Sequence, residues 1–323
     1  MDRRTFAIRM AAGAAAMGPL AARAQQNILK TYVGFPPGPG GFDNVARIVG
    51  EAMQASGFNV LVENRVGAGG RIALQTLKSD AAAETSMILS SQSPLTIFPH
   101  IYSDLRFDPL KDFAPLSKGT SFDYALAVRA DSPFHSANDY LNWARANSGR
   151  VLFGIPGNGT TPHFIAEAMF QRLGVSAQAV PYKGTAPLVQ DLLGGQIPII
   201  FDTLSAPLAN HKAGKLRVLA TAGSSRSRFV PEIPTLIETG VDLAIDGWCG
   251  YYASASMSAA QRARIGDAIV TALRRDTVRD RLALMGMVPA PTTSADLGAF
   301  HLKEYRFWEE VLKDSEFRKK VAS

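Results

Sequence analysis

The chain has 323 residues, a formal charge of +6, 46% hydrophobic residues and a single cysteine, Cys249. Residues 1–24 carry Arg3, Arg4, Arg9 and Arg23 against Asp2, so the remainder carries only +3, which gives no reason to invoke nucleic acid. One cysteine excludes an intrachain disulfide, and about 300 residues are enough for one or two hydrophobic cores.

The first segment reads as a cleavable export signal. Arg3-Arg4-Thr5-Phe6 is a basic start with a twin-arginine look, Ala7 to Leu20 is mostly apolar, and Ala22-Arg23-Ala24 offers a cleavage site. The apolar run is shorter than the roughly 20 residues that a membrane span needs. The expected location is therefore the periplasm.

Tyr32 to Phe35 then reads as a strand, followed by Pro36-Pro37-Gly38-Pro39-Gly40-Gly41-Phe42-Asp43 and an amphipathic helix. Val45, Ile48, Val49, Ala52 and Met53 share one helical face, Asp43 sits at an expected N-cap, and Gly57 ends the helix. Glycines beside a helix N-terminus let an anion approach backbone N–H groups. Asn59 to Glu63 and Met87 to Leu89 are further strands, and Ile72, Leu74 and Leu77 are the expected buried side of the helix between them. Gly67-Ala68-Gly69-Gly70 lacks the G-x-G-x-x-G spacing of a dinucleotide site. This strand–turn–helix alternation implies a parallel sheet covered by helices, with ligands beyond the strands' carboxyl ends, here the Pro36–Gly41 and Ser90–Ser93 loops.

Tyr102 to Leu116 reads as an ordered connection, and Tyr124 to Val128 as a strand. The opening device recurs after the strand Val151 to Phe153, as Gly154-Ile155-Pro156-Gly157-Asn158-Gly159-Thr160-Thr161-Pro162-His163 ahead of a helix. It recurs again after Ala179 to Tyr182, as Lys183-Gly184-Thr185 ahead of a helix that buries Leu188 and Leu192. Ile197 to Phe201 is an apolar strand ending at Asp202. Leu216 to Ala222 and Gly247 to Ala253 are strands, and helices run from Ser258 and from Ser294, with Trp248, Phe307 and Trp308 expected in the core.

His100, His135, His211 and His301 share no metal-ligand spacing with each other or with Cys249. Ser91, His163 and Asp202 are the residue types of a hydrolytic triad, but no G-x-S-x-G elbow holds the serine, so an enzyme is not expected.

Phe35-Pro36-Pro37-Gly38 with Asp43 and Arg47, Val62-Glu63-Asn64-Arg65, Phe107-Asp108-Pro109, Gly157 to Thr161 with His163, Val180-Pro181-Tyr182-Lys183-Gly184 and Asp191 to Gln196 resemble the extracytoplasmic receptors of tripartite tricarboxylate transporters, the TctC or Bug family. The resemblance runs through the mature chain in order. It implies an α/β, two-lobed periplasmic binding protein fold of type II, each lobe a mainly parallel sheet flanked by helices, with a ligand cleft between lobes. Residues 25–123 and 223–323 would form one lobe and 124–222 the other.

It also implies a solute receptor without cofactor or metal. Such a receptor holds a small carboxylate (an organic, amino or aromatic acid) and delivers it, as a monomer, to the membrane subunits of such a transporter. A ligand sensor for a membrane signalling protein is the alternative. Carried onto this chain, the ligand-binding candidates are Phe35, Pro36, Gly40, Gly41, Phe42 and Asp43 in the first loop. Ser91 and Gln92 follow the third strand; Gly157, Asn158, Gly159, Thr160, Thr161 and His163 form the second loop; Lys183, Gly184 and Asp202 complete the set. Two departures stand out, an extra Pro39 and a Phe42 where relatives often carry Ser or Thr. The expectation is that Phe42 favours a ligand with an apolar or aromatic part beside its carboxylate.

Overall fold

The computed structural model describes residues 28–38 and 41–313. The first lobe is built on β1 (Ile28–Val33), α1 (Phe42–Ala52), β2 (Asn59–Asn64), α2 (Arg71–Ser79) and β3 (Ser86–Ser91), then α3 (Phe98–Ile101) and β4 (Phe113–Phe122). The chain crosses at Asp123 into β5 (Tyr124–Arg129), α4 (Ala137–Ala146), β6 (Val151–Ile155), α5 (Thr161–Arg172), β7 (Ala177–Pro181), α6 (Thr185–Leu193), β8 (Ile199–Thr203), α7 (Ser205–Lys212) and β9 (Leu216–Thr221). It returns through residues 222–246 to β10 (Gly247–Ser254), α8 (Ala259–Leu273), α9 (Asp276–Leu284), β11 (Met287–Pro289) and α10 (Ser294–Leu312).

Two sheets result, one ordered β11-β4-β10-β3-β1-β2 and the other β7-β6-β8-β5-β9. The expectation of mainly parallel sheets needs correction. Pairing is parallel among β1, β2 and β3 and among β6, β7 and β8, where helices connect the strands. It is antiparallel where β10 meets β3 and β4, where β11 meets β4, and where β5 meets β8 and β9. The strands by which the chain enters the second lobe and re-enters the first, β5 and β10, run against both of their neighbours.

Both lobes bury their helices as the apolar spacing predicts. Val45, Ile48, Val49 and Met53 of the first helical unit are buried, and a turn over Met53–Ser56 stops at Gly57 with φ of 81°. Leu188 and Leu192 lie against Ile197 and Ile200 in the second lobe. Leu74 and Leu77 are buried, but Ile72 is exposed and Ala73 takes the inward position. Trp248 and Trp308 are core residues, whereas Phe307 is 46% exposed. Asp43 is not the N-cap of α1; Gly41 is, and Asp43 lies buried in the first turn. The stretch read as a connection between Tyr102 and Leu116 contains the start of β4, whose ten residues pair with β10 over nearly their whole length.

Gly34 ends the first strand where no side chain fits. A Cβ there would lie 2.5 Å from the Cα of Gly70, a backbone atom that cannot swing aside. This close approach fixes the direction in which Phe35 and the loop after it leave the sheet. Gly34→Ala is expected to destabilise the protein by about 1–3 kcal/mol through forced backbone displacement. Thermal unfolding should show a loss of several degrees; an unchanged midpoint would mean the contact is slack.

Candidate functional site

A cavity of about 530 Å³ opens between the lobes, beyond the carboxyl ends of β1, β3, β6 and β8. Its walls come from the loop after β1 (Phe35, Pro36, Pro37, Gly38), the start of α1 (Gly41, Phe42, Asn44), and Ser91 and Ser93. The second lobe contributes Tyr124, Pro156, Thr160, Pro162, the start of α6 (Thr185, Ala186), Asp202, Thr203 and the near side of α7 (Ser205, Ala206, Ala209, Asn210). Leu284, Met285 and Met287, between α9 and β11, complete it with an apolar edge.

Local contacts hold the first loop. Asn64 Nδ2 donates to the carbonyl of Phe35 at 2.8 Å, and the Gly41 N–H donates to the carbonyl of Gly38 at 3.3 Å. Arg47 donates to both carboxylate oxygens of Asp43, at 2.9 and 3.0 Å. Asp43 therefore anchors the first turn of α1 from behind and does not line the cavity. Phe42 does: its ring stands 5.3 Å from Phe35 and 5.6 Å from Phe122, forming an aromatic wall.

In the second lobe, three helices begin near the cavity, and they differ in what their first amides do. In α5 the Thr161 N–H donates to Ser93 Oγ at 3.0 Å, the two hydroxyls are also 3.0 Å apart, and Pro162 has no N–H. That helix start is thus spent on a contact between lobes. Gly184 precedes α6 with φ of 102°, and a Cβ on it would come within 3.0 Å of Pro36, so glycine is required for both conformation and space. The first-turn amides of Phe42 in α1, of Thr185 and Ala186 in α6 and of Ser205 and Ala206 in α7 have no acceptor within their own helices, whereas the Asn44 N–H donates to the Gly41 carbonyl and Pro187 and Pro207 have no N–H; residues of all three turns line the cavity.

Among the described residues lining the cavity there is no Lys, Arg or His; the ionisable ones are Tyr124 and Asp202. Asp202 is buried, accepts from Thr185 Oγ1 at 2.8 Å and from the Thr203 N–H at 2.7 Å, and burial pushes its carboxyl up to about 6 against those bonds. Burial also pushes the Tyr124 phenol up. The Ser91 hydroxyl is buried at the cavity wall without a hydrogen-bond partner among the described residues.

Seven of the residues singled out from the sequence thus line one space: Phe35, Pro36, Gly41, Phe42, Ser91, Thr160 and Asp202. Others serve the frame. Gln92 Oε1 accepts the backbone N–H of Trp248 at 3.0 Å; His163 Nδ1 accepts the Gly159 N–H at 3.2 Å, with Nε2 3.7 Å from Glu167. Thr160 Oγ1 donates to the carbonyl of Gly157, and the exposed Asn158 offers its carbonyl to Tyr102. Lys183 is exposed and does not line the cavity. Gly40 lies outside the described residues. Ser91 Oγ is not bonded to His163, so these two do not form the start of a catalytic relay. Sequence reasoning missed α7 and the α9–β11 corner; the one local cue was Ser205-Ala206-Pro207, three residues on from Asp202, where proline suits a first turn.

Residues 45–316 match the family described as tripartite tricarboxylate transporter family receptor. A UPF0065 protein from the gbd 5′ region of Cupriavidus necator is 32% identical over 311 residues, 93% of this chain and 94% of that protein. MatC of Rhodopseudomonas palustris, solved with bound malate, is 25% identical with a TM-score of 0.81, over 88% of this chain and 99% of its own. A second R. palustris protein, solved with adipate, is 26% identical with a TM-score of 0.83, over 88% of this chain and 96% of its own.

Burial makes an ionised Asp202 costly at neutral pH. Its folded carboxyl holds a proton more tightly than an ordinary aspartate, so stability falls as pH rises from about 4 to about 6, and the full cost remains above that. Holding the carboxyl near 6 instead of near 4 costs on the order of 2–3 kcal/mol. Asp202→Asn should therefore unfold several degrees above the parent at pH 8, with the gap closing towards pH 4. A gap independent of pH would show that burial does not raise the proton affinity of the carboxyl.

Proposed function

Because the chain belongs to the tripartite tricarboxylate transporter receptor family, we propose that it is an extracytoplasmic receptor that captures a small carboxylate between its lobes and delivers it to the membrane subunits of such a transporter. Residues 1–24 act as the export signal that brings it to the periplasm. The lobes divide as residues 25–123 with 223–323, and 124–222. The single observation that carries the ligand chemistry is a cavity between lobes lined by the first turns of three helices and, among the described residues, by no cationic side chain. The malate and adipate seen in the two R. palustris relatives support the same class of ligand.

The energetics are adequate without an arginine. Hydrogen bonds to a charged group contribute about 1.5–3 kcal/mol each, and helix N-termini add up to about 2 kcal/mol in partly buried geometry. Micromolar affinity needs about 8 kcal/mol net of ordering costs. Amides of α1 and α6, the Ser91 hydroxyl and exclusion of water reach that range. Phe35 and Phe42 face the apolar part of the ligand, with Leu284, Met285 and Met287 across from the loops.

Thermal unfolding of the mature protein against mono-, di- and tricarboxylates, amino acids and aromatic acids tests this. A ligand at 100 times its Kd adds about 2.7 kcal/mol, a shift of several degrees that calorimetry on the hit should match. No shift across the panel contradicts the receptor reading. Phe42→Ser is expected to weaken aromatic acids at least tenfold relative to short aliphatic ones; an unchanged ranking removes the ring from specificity.

A further inference from the structure

We propose that Asp202 takes up a proton as the ligand enters, so that the cavity selects a singly charged carboxylate with an apolar body over a dianion. The inference rests on the receptor reading and specifies the ligand class for the same site. Asp202 is 2% exposed, and its partners, the Thr185 hydroxyl and the Thr203 amide, are neutral donors. Among the described residues, no neighbouring element brings a cation to it. Tyr124 faces the cavity from β5. From α5, His163 is bound to the Gly159 amide and stands beside Glu167. Asp43 of α1 closes onto Arg47, whose side chain is 51% exposed. Lys183, ahead of α6, is exposed. His211 and Lys212 lie in the last turn of α7, with His211 3.6 Å from Glu232, and Arg281 of α9 pairs with Glu51.

A ligand carboxylate in this space therefore meets a buried acid and, among the described residues, no side-chain counter-ion. Two anions in one water-excluded cavity repel, and the least costly relief is protonation of the group that already holds a proton most tightly. At separations of about 6–8 Å and an effective dielectric near 20, a second charge raises the proton affinity of Asp202 roughly 30- to 100-fold. The proton comes from solvent and goes to a carboxylate oxygen of Asp202; the ligand stays ionised, and no other bond is made or broken. A second carboxylate on the ligand would meet the apolar Phe42, Met285 and Met287 and neutral polar groups such as Asn44 and Asn210, and among the described residues no side chain of opposite charge. The dicarboxylates held by the two relatives make this a specific departure for this chain.

The test is calorimetric titration of the full mature protein with 3-phenylpropionate, benzoate, adipate and phenylalanine, at pH 7 in phosphate and in Tris, and at pH 6 and pH 8. The expected result is binding of the singly charged acids with uptake of more than half a proton at pH 7, read from the difference between buffers. Their Kd should rise about tenfold from pH 6 to pH 8, and adipate should bind more weakly than the monoacids at pH 8. Asp202→Asn should lose both the uptake and the pH dependence; if that variant does not bind, the two-buffer comparison on the parent decides alone. Binding without proton uptake, adipate tighter than the monoacids, or phenylalanine tighter than 3-phenylpropionate would each overturn the proposal, the last because Asp202 would then serve as an ionised partner for an ammonium group. Failure of all four probes also overturns it, while the receptor reading falls only if the wider carboxylate panel fails too.

Discussion

An anion can leave water only if something of opposite polarity receives it, and in the proposed receptor that task falls to backbone amides at helix starts. The first turns of α1, α6 and α7 reach one cavity, and the described side chains around it carry no positive charge. Amides differ from lysine or arginine in having no rotamers to order and no proton to lose. They are fixed by the sheets beneath them, so the site's geometry depends on how each strand hands over to its helix. Gly34 against Gly70, and Gly184 against Pro36, are two places where the chain leaves no room for a side chain.

The same device is used for a second purpose. The first amide of α5 meets the hydroxyl of Ser93 from the other lobe, and the two side chains also touch. Tyr102 reaches the carbonyl of Asn158, and the ring of Phe164 meets Trp308 at 4.7 Å, adding further contacts across the divide. One helix start therefore joins the lobes while those of α1, α6 and α7 border the cavity. Asp202 sits between these contacts: it is the penultimate residue of β8, steadies Thr185 at the start of α6, and places an acid in the cavity wall.

Much of this was legible in the sequence because it is local. The helix after the first loop, its stop at Gly57 and the repeated strand–turn–helix device all depend on spacing within about twenty residues. Phe42 as a wall followed from one unexpected residue in a recognisable loop. The roles of Thr161 and Gln92 were not legible, because their partners lie 68 and 156 residues away in the chain. Asp43 carried the signature of an N-cap but sits two residues later than that role requires, and its carboxylate is consumed by Arg47. The helix α7 has no clear apolar stripe, and β11 is three residues long, so neither announced itself, although both border the cavity. The mixed sheets escaped notice because strand direction is set by where the chain re-enters a lobe, which composition does not encode.

The most direct measurement is a crystal structure of the mature protein with a bound carboxylate. The account predicts carboxylate oxygens within hydrogen-bond distance of first-turn amides of α1 and α6, with no lysine or arginine in contact. A carboxylate paired with a cationic side chain, or seated outside the space between the lobes, would contradict it.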